Sequence, residues 1–417
     1  MSDLFAVGAS GVTAYQRALS VVSNNIANGS ADGYARQNVS LVSNAASQYG
    51  AVYLGTGARF ESVRRQYDAF VEQNLRNAQA DVKSQEPMSA YTNRIIDIMA
   101  DESIGLTSSM NLFFESARNL ATDPASLVAR GTFLRDADGL AARFRQMSGQ
   151  LGLIEKETRQ GLETGVDQVN AYITQLAYVN RQLAKNATEA KQPAELLDQR
   201  DLLLRRMSEL INFNTKFEPN GAVLVSVGDT ISRGILVDGV NGKALGVIDS
   251  PTEQDKLTFI VDPYGTPEPV AGVTSGQLGG LINFREQVLT PAQNFLDSIA
   301  EIFVGEVNDL PHNGLDLNGL VGGDMFQIDA NGGAAGVNMV LQDVTKIAVA
   351  GDFRVSDNPL NTGGVQARIE YSAPNFTVPP AIDSVVEEGL SNDYLTPFGL
   401  SVSLPAKTIG AVQLGQS

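Results

Sequence analysis

LAARFRQMSGQLGLIEKETRQGLETGVDQVNAYITQLAYVNRQL, residues 140 to 183, is the stretch whose reading decides the fold. Leu140, Phe144, Met147, Leu151 and Ile154, then Val166, Val169, Ile173, Leu176, Val179 and Leu183, recur at steps of three and four. That spacing lines one face of an α-helix and packs it against other helices. Taken as continuous from about residue 125 to 185, the helix would extend roughly 90 Å at 1.5 Å per residue. Gly149, Gly152, Gly161 and Gly165 argue against a single rod, since each costs up to about 1 kcal/mol relative to alanine in a helix interior.

On the C-terminal side, Pro193 precedes a further helix, LLDQRDLLLRRMSELI, with Leu196, Leu203 and Met207 turned inward and Arg200, Arg205 and Glu209 on its flanks. After Asn212 the texture becomes β-like: AVLVSVGDTIS, ILVDG, ALGVI and LTFIVD are short β-branched runs separated by Gly, Asn, Asp and Pro. A helical stretch from about 277 to 310 interrupts it, and short β runs rich in Gly and Pro resume from Met325.

Towards the N-terminus, Leu4, Gly8, Gly11, Tyr15, Ala18, Val22 and Ile26 again step by four and three, which predicts a helix that wants a helical partner. Asn28-Gly29 ends it, and Asp32-Gly33 adds a turn. Gln37 to Val63 reads as extended segments joined by turns, with helix returning at about Arg65 through Tyr67, Phe70, Val71, Asn74, Ala78 and Val82. Pro87 is expected to break that helix or start the next.

The expected fold is therefore α+β and multidomain, an elongated helical bundle or coiled-coil core with inserted, mostly β outer domains. Its segments are 1–64 (N-terminal helix and extended segment), 65–212 (helical bundle), 213–273 (inserted β-rich domain), 274–320 (helix returning to the bundle) and 321–417 (second mostly β domain).

Composition narrows the function. The 417 residues are 43% apolar and carry a net charge of −17. The acid excess lies mostly after residue 240 and disfavours a nucleic-acid partner. No stretch reaches the roughly 18–20 apolar residues of a membrane helix. No basic leading region marks a cleavable secretory signal. Cysteine is absent and there is one histidine, His312, so thiolate chemistry, zinc-thiolate sites and His-rich metal clusters are excluded within the chain. No serine lies in a G-x-S-x-G elbow. LDLNGLVGGD and IDANGG set Asp316, Asn318, Asp324, Asp329 and Asn331 among glycines, yet lack the twelve-residue calcium-loop spacing, and SGQLGGL lacks the phosphate-loop Lys-Ser/Thr. No catalytic residue, cofactor or metal site is predicted. The paired carboxylates Glu387-Glu388 keep a carboxylate-dependent hydrolase or a calcium-binding surface protein as the rival class.

The specific signal is SNNIANGSADGYARQNVSL, residues 23 to 41. It resembles the N-terminal motif of the flagellar axial proteins, the family of rod, hook and hook-associated proteins, with Asn24, Asn25, Ile26, Ala27, Asn28, Gly33, Tyr34 and Arg36 matching position by position. Four further segments resemble the hook-associated protein 1 branch: YDAFVEQNLRNAQA at 67–80, FFESARNLATDPAS at 113–126, LLDQRDLLLRRMSELI at 196–211 and the run 274–319. The family ends in a second amphipathic helix that pairs with the first. This sequence stops at IGAVQLGQS, so a C-terminal truncation is expected.

The resemblance implies a structural role: export through the flagellar type III apparatus, then self-assembly as a ring of subunits outside the cell at the hook-filament junction. Its partners would be the hook protein, other hook-associated proteins, further copies of itself and an export chaperone, with no nucleic acid or membrane. The expected assembly interface is Leu4, Tyr15, Leu19, Val22, Asn24, Asn25, Ile26, Asn28, Gly33, Tyr34 and Arg36. Hook protein and hook-associated protein 3 remain alternatives within the family.

Overall fold

The computed structural model describes residues 4–349, except 101–104, 229, 252, 254, 255 and 319, together with short strands at 353–357, 367–371 and 385–386. The chain divides into two compact units, one of Met1–Tyr91 with Lys156–Gln287, the other of Thr92–Glu155 with Val288–Ser417.

The first unit opens with helix α1, Leu4–Asn28. Strand β1, Gln37–Ser43, a small hairpin of β2, Ser47–Tyr49, and β3, Val52–Leu54, and strand β4, Ala58–Arg65, follow. β1 and β4 pair antiparallel from Gln37 opposite Arg65 to Ser43 opposite Ala58, with a bulge at Ser40/Leu41. Helix does not return at Arg65, which ends β4. It returns as α2, Ala69–Ala100, because the Asp68 carboxylate accepts the free Phe70 and Val71 N–H groups and caps its start.

Pro87 lies inside α2 rather than at a boundary. Its ring removes one backbone bond, but the side chain is buried where the chain also places Gly280, and a Cβ at 280 would lie 2.8 Å from Pro87 Cγ. Packing on a glycine holds the helix through the proline.

Helix α3, Leu106–Thr122, leads to α4, Leu127–Leu183, a single helix of 57 residues, about 85 Å long at 1.5 Å per residue. Two of the four glycines that argued against one rod have a packing role. Gly161 and Gly165 admit Leu281 and Leu278, and a Cβ at 165 would meet Leu278 Cδ2 at 2.4 Å. Gly149 and Gly152 face open space.

α5, Ala194–Leu210, buries Leu197, Leu203, Leu204 and Met207. Arg200, expected on a flank, is buried as well: its guanidinium donates to the Asp201 carboxylate and the Gly221 carbonyl and lies over the Phe217 ring. Burial of a charged group requires such pairing.

Residues 213–273 form β5, Asn214–Phe217, β6, Val223–Ser226, β7, Ile235–Asp238, β8, Asn241–Gly242, β9, Leu245–Asp249, β10, Leu257–Val261, and β11, Glu268–Val270. They make two antiparallel sheets, ordered β5-β6-β7-β8 and β11-β10-β9. Their apolar side chains share one core with residues 162–183 of α4, with α5 and with Leu278 and Leu281. Two asparagines of α4 hold the sheets. Asn180 bonds both Val223 backbone groups and the Gly239 carbonyl, and Asn170 bonds both Leu245 groups.

The expected 277–310 helix is α6, Gly276–Phe284, one π turn, Arg285–Leu289, and α7, Thr290–Asp309. In the second unit α3, α4 and α7 meet in an aromatic core, with the Phe303 ring 5.3 Å from Phe113 and 5.4 Å from Phe326. Phe326 starts β12, Phe326–Ile328, which pairs with β13, Val337–Met339. A sheet of β14, Phe353–Asp357, β15, Ala367–Tyr371, and β16, Val385–Val386, comes later in the chain. The remainder of the expected 321–417 domain, with Glu387 and Glu388, lies outside the described residues.

Candidate assembly surface

α1 lies along the β1/β4 hairpin with its small residues inward. Ala14 is 2% exposed, and the Ser10 hydroxyl accepts the Ala58 N–H where Gly57, at φ 101°, leaves room for it. The opposite side carries Val12, Tyr15, Leu19, Val22 and Ile26, all exposed; Ile26 is 78% exposed. Phe5 is exposed too. Phe5, Val12, Leu19 and Ile26 recur every seven residues, with Tyr15 and Val22 between them, the seam of a coiled coil. Of the expected interface residues, Tyr15, Leu19, Val22 and Ile26 sit on this outer face. Phe5 and Val12 share this exposed face and stand outside the expected set, and the strict seven-residue step is the signal that points to them. Leu4 is the first described residue of α1.

The asparagines turn the other way. Asn25 Oδ1 accepts from the Tyr34 hydroxyl and the Gln37 N–H at 2.8 and 2.9 Å, and its Nδ2 donates to the Gln37 carbonyl at 2.8 Å. An amide can pair with both the N–H and the carbonyl of one residue in this way, which a carboxylate cannot. Asn28 Nδ2 donates to the Asn24 side chain and carbonyl. Asn25, expected to face neighbouring subunits, thus commits its amide to its own chain, pinning the turn 29–36 beneath the helix end.

Gly33 completes that turn at φ 79°, and a Cβ there would lie 2.9 Å from Leu202 Cβ, so no other residue fits. Burial pushes the Tyr34 hydroxyl above its ordinary pKa, with Asp198 and Glu195 adding to the rise. Arg36 points to solvent.

An ionic cluster fastens this segment to α5. Arg65 donates to Asp198 and Asp201 at 2.8 and 2.7 Å, and Asp198 also accepts the Ala35 N–H. Burial raises the Asp198 carboxyl above its usual range, against the pull of Arg65. Arg205 grips Glu72 of α2 with two bonds. A bidentate pair of this kind fixes geometry as well as charge.

The carboxylates among glycines make turns. Asp316 accepts from the Asn318 and Leu320 N–H groups, and Asp329 from the Asn331 N–H and the Asn338 amide. His312 and Asp324 pair at 3.0 Å on the surface. Among the described residues no three His, Asp or Glu side chains converge as a metal site, and no helix is long and apolar enough to cross a membrane.

A family model for the helical domain of flagellar hook-associated protein FlgK matches residues 92–326, and a model for flagella basal body rod proteins matches residues 5–34. Flagellar hook-associated protein 1 of Salmonella typhimurium is 30% identical over 334 residues, 79% of this chain and 60% of the relative. The Escherichia coli protein of that name is 28% identical over 405 residues, 94% of this chain and 73% of the relative. The solved structure of the flagellar hook junction protein FlgK from Burkholderia pseudomallei superposes with a TM-score of 0.53 at 25% identity, over 76% of this chain and 58% of that one. The chain spans 60% of the length of the Salmonella relative.

Proposed function

The chain belongs to the flagellar hook-associated protein FlgK family, and from this premise we propose that it is a structural subunit of the flagellum, exported from the cell and joining hook to filament by self-assembly. The observation that carries the reading is the outer face of α1, where six large apolar side chains at coiled-coil spacing lie exposed. Leaving such a face in water is unfavourable by about 25 cal/mol for each Å² of apolar surface. A helix held rigidly by its inner side and apolar on its outer side is made to be covered by neighbouring subunits.

Its work is mechanical. The α1 faces of successive copies build an inner axial layer, and the two compact units carry load between a flexible hook and a stiff filament. Hook protein, other hook-associated proteins and further copies of this chain are the neighbours this role requires, with an export chaperone before assembly. The rod-protein match over α1 is expected of a segment shared along the whole axis.

The test is made in a bacterium that lacks its hook-filament junction protein. This chain is expressed there joined to the C-terminal remainder of a relative, and attached filaments and flagellin in the medium are scored. Restored filaments with little free flagellin are expected. Export without filament attachment would move the chain to another axial position, and absence of export would overturn the reading.

A further inference from the structure

Four asparagines on three helices make the same contact. Asn25 of α1 pairs with both backbone groups of Gln37. Asn170 and Asn180 of α4 do so with Leu245 and Val223, and Asn308 of α7 with Phe326. In every case Nδ2 donates to the carbonyl and Oδ1 accepts the N–H, at 2.7 to 3.0 Å. Each target is the first residue of its strand, β1, β9, β6 or β12, and the four strands belong to four different sheets. All four targets are buried, the most accessible being Gln37 at 8%. The partners stand 12 to 75 residues apart, so no single local turn motif produces the pattern.

The strand pairing explains why the contact is available there. Leu245 lies opposite Val261, the last residue of β10, and Phe326 opposite Met339, the last of β13. One residue earlier, the Ala244 carbonyl accepts the Asp262 N–H at 2.8 Å and the Met325 carbonyl the Val340 N–H at 2.9 Å. Arg36 before Gln37 and Ala222 before Val223 do the same. Backbone groups alternate in direction along an antiparallel strand, so those of each target point away from the paired strand. The asparagine meets them where one residue of a further strand would.

We infer that Asn25, Asn170, Asn180 and Asn308 are positioning residues, each seating one sheet on its helix by standing in for a strand residue. The seat also tests register. A strand slipped by one residue would turn the facing groups toward its paired strand, and the amide would lose both bonds at once. No other short side chain meets the need: a carboxylate has nothing to donate, and a hydroxyl offers a single atom. The inference stands apart from the axial-subunit reading and goes beyond it, naming what fixes the sheets on the helical framework.

The test uses Asn170 and Asn308, which are half-buried, so that a carboxylate there suffers little from burial alone. Each is replaced by Ala and by Asp in the purified chain, and the denaturant midpoint and amide exchange are measured. Aspartate keeps the shape of asparagine, so a side chain that merely fills its place would tolerate Asp better than Ala. A side chain that donates to a carbonyl gives the reverse order, parent above Ala above Asp, because the carboxylate faces the carbonyl oxygen. That reverse order is the expected result. Exchange at Leu245 in Asn170→Ala, and at Phe326 in Asn308→Ala, is expected to rise about tenfold. Asn111→Asp, at an exposed position on α3, is the control and should leave the midpoint unchanged. A chain that folds with Ala and fails to fold with Asp counts as the expected order, and the two sites lie in different compact units, so each reports without the other. Asp superior to Ala at both sites, or unchanged exchange at both targets, would overturn the inference.

Discussion

α1 and the later half of α4 carry the same repeat and end in opposite surroundings. Leu176, Val179 and Leu183 are 0% exposed, walled by α5, α6 and two sheets, while Leu19 at an equivalent step in α1 is 64% exposed. A seam of apolar residues at steps of three and four states that a helix needs a partner, and says nothing about where the partner comes from. In α4 the chain itself answers, with residues of α5, the two sheets and α6 that follow it. For α1 none of the described residues covers the outer seam, while the inner face is satisfied by alanine, serine and asparagine against a hairpin.

The sharpest way to break this contrast is to truncate one side chain on each seam. Leu176→Ala should destabilise the folded chain by about 2–5 kcal/mol, read from denaturant unfolding, because it opens a cavity in a closed core. Gly165→Ala should cost roughly 1–3 kcal/mol by forcing Leu278 aside. Asn25→Ala should lose about 1–2 kcal/mol and speed amide exchange at Gln37, whose N–H loses its acceptor.

Gly149→Ala should move the other way, raising stability by about 0.5–1 kcal/mol, since its Cβ meets open space and the helix gains propensity. Leu19→Ala should change the stability of dilute chain by less than about 0.5 kcal/mol while impairing assembly. A large loss from Leu19→Ala in dilute solution would erase the contrast, because it would mean the α1 seam is already covered within one chain.

Much of the helical framework was legible because its signal is local. The steps from Leu140 to Leu183, the turn at Asn28-Gly29 and the proline before α5 each act within a few residues. What escaped depends on residues far apart in sequence. Pro87 stays inside its helix because Gly280 lies against it, and Arg200 goes inward because Asp201 and the Gly221 carbonyl await it. The apolar stripe of α2 was legible as helical, but its direction was not: Val71, Ala78 and Val82 lie exposed, while Ala80, Ser84 and Pro87 are buried. At the candidate site, the resemblance singled out the motif 23–41. It did not separate Ile26, which faces out, from Asn25, which faces in, because that choice is made by a backbone amide twelve residues away.

The ionic cluster that ties Arg65 to Asp198 and Asp201 joins positions 133 and 136 residues apart, and the Ala35 bond to Asp198 spans 163. Contacts of such long sequence separation form late, since the chain between must first be closed into a loop. A polypeptide that emerges end-first, from the ribosome or through a narrow conduit, therefore presents α1 and its hairpin long before α5 arrives to fasten them. The leading end of the molecule is the last to be locked down, and during that interval it remains the easiest part to seize or thread.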